Sequence, residues 1–143
     1  MNIHPLFVHF PIALLLTYAG LELIRFKHFY TKATLVILGV LSGIITVITG
    51  LMAKSLVKNE ELMNVVVKHE FWAITSLVIF AIPAVIYLIA WIKNSPQMTE
   101  NKLIPVLALA GIICLSITGA LGGSVAFGPN IDPFTNWIYD LFF

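Results

Sequence analysis

The sequence contains few charged residues and a single cysteine. Only 10% of its 143 residues are Asp, Glu, Lys or Arg, whereas soluble domains carry about 25%. Hydrophobic residues make up 59%. A chain of this size cannot bury so much apolar surface in its own core, so the composition predicts a membrane protein. Because Cys114 has no second cysteine, a disulfide framework and a thiolate metal site are excluded.

The sequence also shows no basic patch and no pattern typical of a cleavable leader. The formal net charge is +1, and no cluster of Lys and Arg indicates nucleic-acid binding. No basic segment precedes the first apolar run, and no small-residue cleavage site follows it. We therefore expect this run to be retained as a membrane span.

Four apolar segments are long enough to cross a bilayer, which requires about 20 helical residues. They cover residues 5–25, 33–56, 65–92 and 103–127. The connections between them are short, so neighbouring spans should run antiparallel. The sequence predicts an all-α, integral membrane, four-helix up-down bundle that forms one domain over residues 1–143.

Capping residues indicate where two of the helices begin. Asn59, followed by two glutamates, is a good N-cap for the third helix. Asp132 and Pro133 open a short helix over residues 133–142. Its apolar residues should share one face and lie on the membrane surface; they are Phe134, Trp137, Ile138, Leu141 and Phe142.

Three of the four histidines lie near the start of the first or third span. These spans run in the same direction, so His4, His9 and His69 should lie at one membrane surface. Ionisable groups at this depth are costly and mark functional sites. We predict that His9 and His69 are the axial ligands of a haem b. His4 is a candidate to hydrogen-bond a propionate, but its simpler role is in the entry turn before Pro5. Two alternatives are a copper or zinc site that includes His4 and interfacial histidines that bond only carbonyls or water.

Small residues would leave room for such a ligand. Ala13 follows His9 by one turn, and Ala73 follows His69 by one turn. The second and fourth spans carry stripes of small residues that permit close helix approach or a flat cofactor: Gly39, Gly43, Thr46 and Gly50, and Gly111, Thr118 and Gly122. Lys54 and Lys68 are candidates to pair with haem propionates, or they are simply interfacial lysines.

Two further patterns bear on the interior. Glu22 lies within the first span, and its simplest partner is Arg25, three residues later, with a proton relay as the alternative. The two halves also resemble a tandem repeat, because each begins with a His-x-x-x-Ala helix and contains Ile-Thr-Gly. Such a repeat predicts a twofold axis along the membrane normal.

Lysine and arginine counts predict the orientation. The first and third loops hold five of these residues and the opposite side holds three. By the positive-inside rule, both termini should lie outside a bacterial cytoplasmic (inner) membrane.

The opening residues 4–14, with the pattern HPLxVHFPIAL, closely resemble those of a bacterial family of small four-span membrane proteins of unknown function. The similarity extends to Thr49-Gly50, His69 and residues 121–123. Many of these relatives continue with His-Gly, but residues 124–128 contain no histidine here. The resemblance implies a fold and no activity.

The residues therefore predict a small membrane b-type cytochrome that transfers single electrons, with a quinol or another redox protein as partner, rather than an enzyme with its own substrate turnover. Two axial imidazoles leave iron no open position, which suits electron transfer. The alternative is a cofactor-free assembly subunit of a homo-oligomer or larger membrane complex.

Overall fold

The computed structural model describes residues 4–143 and is all-helical over that range. The helices are α1 (His4–Leu23), α2 (Phe29–Lys54), α3 (Glu60–Ile92), α4 (Leu103–Phe127) and α5 (Pro133–Phe142), with a 3-10 turn at Pro96–Thr99. Each of α1 to α4 is long and apolar enough to cross a membrane. The predicted four-helix bundle with a short C-terminal helix is confirmed.

The four long helices pack around a square. The neighbouring pairs are α1 with α2, α2 with α3, α3 with α4, and α4 with α1. As a result α1 and α3 occupy opposite corners and face each other across the interior. Large apolar side chains remain exposed around the outside, including Leu41, Val78 and Val106, as expected of surface that contacts lipid.

Both predicted caps form. The Asn59 side chain accepts a hydrogen bond from the Leu62 amide at 3.0 Å, and α3 begins at Glu60. Asp132 accepts from the amides of Phe134 and Thr135, each at 2.9 Å. These bonds satisfy amides that have no partner within the helix.

The expectation of one apolar face on α5 is only partly right. Ile138 is buried in a cluster with Leu121 of α4, and the Phe142 ring lies 5.8 Å from that of Trp72. The exposed apolar residues are Phe134, Trp137 and Leu141. α5 therefore has one face against the bundle and a second, narrower apolar face directed outwards.

The two halves of the bundle, α1 with α2 and α3 with α4, contain equivalent glycine contacts. A Cβ atom on Gly39 would meet Leu15, and one on Gly111 would meet Phe80, both at 2.5 Å. The contacting residues in α1 and α3 are 65 positions apart, and the glycines in α2 and α4 are 72 positions apart. The offset of 65 residues between α1 and α3 pairs His4 with His69. His4, and not His9 as the His-x-x-x-Ala pattern suggested, is therefore the equivalent of His69.

Candidate cofactor site

Two histidines meet across the interior at one end of the bundle, which we call the histidine end. The ring centroids of His4 in α1 and His69 in α3 are 6.4 Å apart, and the ring planes are inclined at 76°. Both side chains are half-buried. Because α1 and α3 occupy opposite corners, these two rings, the histidine pair, lie near the axis that relates the two halves.

Each ring of the histidine pair is held by a neighbouring helix. His69 Nδ1 lies 2.9 Å from the main-chain oxygen of Thr118 in α4. His4 Nδ1 lies 3.2 Å from Thr49 Oγ1 in α2. Each imidazole is therefore held by the helix next to its own, His69 through a main-chain oxygen and His4 through a threonine hydroxyl.

Glycine makes these contacts possible. A Cβ atom on Gly50 would lie 3.1 Å from His4 Cε1, and one on Gly122 would lie 3.0 Å from His69 Cε1. Gly122 follows Thr118, whose carbonyl binds His69, by four residues, and Gly50 follows the equivalent Thr46 by the same spacing. The missing side chain lets an imidazole reach a helix carbonyl that a larger residue would cover. The repeated Thr-x-x-x-Gly pattern is the sequence signal that identifies this site.

The hydrogen-bond partners assign the tautomers. The Thr118 carbonyl can only accept, so His69 carries its proton on Nδ1. Thr49 donates its own hydroxyl to the Thr46 carbonyl at 3.0 Å, so its oxygen accepts from His4 Nδ1. Both neutral rings therefore carry the lone pair on Nε2, the nitrogen that a metal would bind.

The prediction that His9 faces His69 is wrong in its geometry. His9 is exposed, and its Nδ1 lies 3.1 Å from the Pro5 carbonyl of its own helix. Ala13, one turn later, is exposed as well. His4 and His9 are five residues apart, which turns them well away from each other on a helix, and α1 directs His4 inwards.

The other predicted residues lie at the histidine end with protein partners. Lys54 forms an ion pair with Glu70 at 2.6 Å, and the Lys68 ammonium lies 5.6 Å from the ring centroids of Phe142 and Phe143. Ala73 lies one turn below His69 and is half-buried. Gly50 and Gly122 contact the histidine pair directly, and both belong to the stripes recognised in the sequence.

A metal site made of protein ligands alone is not formed in the described part of the chain. Residues 4–143 contain no group of three or more His, Cys, Asp or Glu side chains that could hold an ion. Zinc sites need at least three protein ligands. The expected copper or zinc site of His4, His9 and His69 is therefore not assembled, because His9 points away.

A second polar cluster lies at the opposite end, the glutamate end. Glu22 is 5% exposed, and its carboxylate accepts a hydrogen bond from the Tyr87 hydroxyl and pairs with Lys32 at 3.2 Å. The buried Tyr18 hydroxyl lies beside this carboxylate without a well-formed hydrogen bond. The expected pairing with Arg25 is replaced by Lys32, so the cluster joins α1, α2 and α3.

The comparisons with known proteins agree with this architecture. A family model described as "Predicted membrane protein (DUF2231)" matches residues 1–132. The chain belongs to the DUF2231 family. The resemblance to small membrane proteins is thereby confirmed, and the match covers all four long helices and both members of the histidine pair. Comparisons with curated proteins and with solved structures give no significant match.

Proposed function

We propose that this DUF2231 protein is a b-type cytochrome whose haem iron is bound by Nε2 of His4 and Nε2 of His69. The observation that carries the proposal is the histidine pair, with one imidazole from each of two opposite helices. A haem supplies four equatorial nitrogens and needs only two axial ligands from the protein. That number matches the site, whereas a bare zinc ion would need further ligands.

The dimensions of the pair support this assignment. An iron with both axial nitrogens at about 2 Å places two coplanar or crossed imidazole centroids roughly 6 Å apart. The observed separation is 6.4 Å. Each Nδ1 is hydrogen-bonded to the neighbouring helix, which is the outer-shell bond that orients a metal-bound histidine and raises its basicity.

The proposed role is transfer of single electrons at one face of a bacterial inner membrane. The proposed orientation has the histidine end outside, because the glutamate end carries more Lys and Arg and such residues favour the inner side. A quinol in the bilayer is the proposed donor, and a redox protein at the outer surface is the proposed acceptor. Lys68 and Lys54 are the proposed partners of the haem propionates at this end, and for Lys54 this pairing would replace its ion pair with Glu70.

The test is an optical spectrum of the full chain purified from cells supplied with excess haem. We expect a low-spin haem b spectrum in the oxidised and reduced forms. Replacing His4 or His69 with alanine should abolish the low-spin form, whereas His9→Ala, the matched control, should retain it. The steep 76° angle between the ring planes should also give a strongly anisotropic low-spin electron paramagnetic resonance signal.

The outcomes separate the remaining candidates. A colourless protein that contains stoichiometric copper or zinc by elemental analysis would replace haem with a metal ion at the same pair. A colourless, metal-free protein that co-purifies with other membrane subunits would favour the assembly role. A low-spin spectrum that survives His69→Ala would refute the ligand assignment.

A further inference from the structure

A groove opens between α1 and α4, and the start of α5 forms its third side. This side groove has a volume of about 330 Å³. Ile12 and Leu16 of α1 form one wall, and the wall from α4 includes Ser116 and Gly119. A Cβ atom on Gly119 would meet nothing within 4 Å, so the side groove has open space at this position.

The side groove results from a difference between the two halves of the bundle. Where α2 meets α3, a Cβ atom on Gly43 would lie 2.7 Å from Leu77, so these helices pack closely. The equivalent residues of the other half are Leu115 in α4, 72 positions after Gly43, and Ile12 in α1, 65 positions before Leu77. Because a leucine replaces the glycine, α1 cannot approach α4 as closely. These two helices are in less extensive contact than α2 and α3.

Ser116 places an unpaired hydroxyl in the side groove. The other hydroxyl groups of α4 bond carbonyls of their own helix. Thr118 donates to Cys114 at 2.8 Å, and Ser124 donates to Ala120 at 3.1 Å. Within residues 4–143 the half-buried Ser116 hydroxyl has no hydrogen-bond partner. A hydroxyl without a partner at membrane depth is costly, so this group needs an acceptor from outside the chain.

A carboxylate lies at the end of the side groove next to α5. Asp132 lines this end and accepts a hydrogen bond from the Thr135 hydroxyl at 2.6 Å. The same hydroxyl oxygen would lie 3.7 Å from a Cβ atom on Gly123 of α4. Gly123 is seven residues beyond Ser116, or about 10 Å along the helix. The side groove therefore offers a hydroxyl within the membrane and a carboxylate about two helical turns closer to its surface.

The charges near this end are negative. The segment 103–143, which contains α4 and α5, has two charged side chains, Asp132 and Asp140. Lys68 lies over the Phe142 ring, at the other end of α5. A cationic group is therefore electrostatically favoured over an anionic one at the carboxylate end of the side groove.

We propose that the side groove binds one phospholipid with an amine headgroup, as in phosphatidylethanolamine. One acyl chain lies against Leu16, an ester carbonyl accepts a hydrogen bond from Ser116, and the headgroup ammonium pairs with the Asp132 carboxylate. In a glycerophospholipid the ester carbonyls lie deeper in the membrane than the headgroup, which matches the order of these two residues. The bound lipid joins α1, α4 and α5, and its binding does not depend on the proposed haem.

The experiment places the full chain in nanodiscs of equal parts phosphatidylethanolamine and phosphatidylglycerol. The protein is then transferred to mild detergent, and the retained lipid is identified and titrated by native mass spectrometry. We expect one phosphatidylethanolamine per chain. Ser116→Ala should weaken its binding about two- to tenfold through loss of one hydrogen bond. Ser42→Ala is the matched control and should leave binding unchanged, because the Ser42 hydroxyl already donates to the Leu38 carbonyl at 2.8 Å.

Two further variants test the space and the headgroup separately. Gly119→Leu fills the open space and should displace the lipid without loss of helix by circular dichroism. Val47→Leu, at the equivalent position of α2, is its control and should retain the lipid. Asp132→Asn keeps a good N-cap for α5 but removes the charge, so the preference for phosphatidylethanolamine over phosphatidylglycerol should fall about two- to fivefold.

Four results would overturn the inference. They are a native chain that retains no lipid, equal retention of the two phospholipids, an isoprenoid quinone retained in place of a phospholipid by protein purified from cells, and equal loss of lipid from Gly119→Leu and Val47→Leu. None of them bears on the haem, which is measured independently from the optical spectrum of the same samples. Absence of haem would refute the proposed function and leave the lipid site intact.

Discussion

Replacing Gly122 with alanine should disturb the histidine pair far more than the same change at Gly119. The new methyl carbon of Gly122→Ala would lie 3.0 Å from His69 Cε1, whereas a Cβ atom at Gly119 would meet nothing within 4 Å. Carbon atoms in favourable contact are about 3.5–4.0 Å apart, so the ring must move by a few tenths of an ångström. That displacement would lengthen and weaken the 2.9 Å bond from His69 Nδ1 to the Thr118 carbonyl.

The magnitudes follow from two opposing effects. Alanine is favoured over glycine in a helix by about 1 kcal/mol, and this gain applies at both positions. Overpacking costs about 1–3 kcal/mol, and only Gly122→Ala incurs it. The free energies of unfolding in detergent should therefore differ by about 1–3 kcal/mol between the two variants, with Gly119→Ala the more stable.

The assay combines denaturant unfolding in micelles with nitrogen NMR of the histidine tautomers, and with the haem spectrum where haem is bound. Gly122→Ala should shift or lose the His69 Nδ1–H signal, and Gly119→Ala should not. Equal stabilities and unchanged His69 signals in both variants would show that the glycine does not make room for the imidazole.

Two further predictions concern other parts of the fold. Lys32→Met should lower the free energy of unfolding by about 3–5 kcal/mol, because it leaves the Glu22 carboxylate buried without its countercharge. The double variant Glu22→Gln/Lys32→Met should lose less stability, because it removes both charges. A double variant as unstable as the single one would contradict this. The Thr135 hydroxyl and amide hold the pKa of Asp132 below its usual range, so this cap stabilises α5 above the unfolded pKa of about 3.9 and is lost as pH falls through the lower folded value. Trp137 fluorescence should therefore be constant near neutral pH and report release of α5 only in acid, and an α5 that detaches at neutral pH would refute the argument.

Much of the fold could be predicted from local signals. The four spans follow from the lengths of the apolar runs, and the α3 and α5 starts follow from Asn59 and Asp132. The Gly50 and Gly122 stripes were recognisable as sites of close helix approach. The glutamate end was not predictable, because nothing near Glu22 in the sequence indicates that Tyr87, 65 residues later, reaches its carboxylate.

The choice between His4 and His9 shows where sequence reasoning stops. In a soluble helix an apolar stripe marks the inward face, but α1 is apolar on all sides because its outer face meets lipid. The histidine next to the continuous apolar run was therefore the favoured candidate, and the structure shows it to be exposed. The paired Thr-x-x-x-Gly patterns hold the missing information, since each identifies a carbonyl that an imidazole can approach.

The sequence by itself determined that this protein is a membrane bundle with histidines at one end, because hydrophobic length and capping are local properties. Only the tertiary structure decided which imidazole faces His69 and which cation neutralises Glu22. Those answers depend on how each helix is rotated about its own axis, and that rotation is set by glycine contacts between residues that are far apart in the sequence.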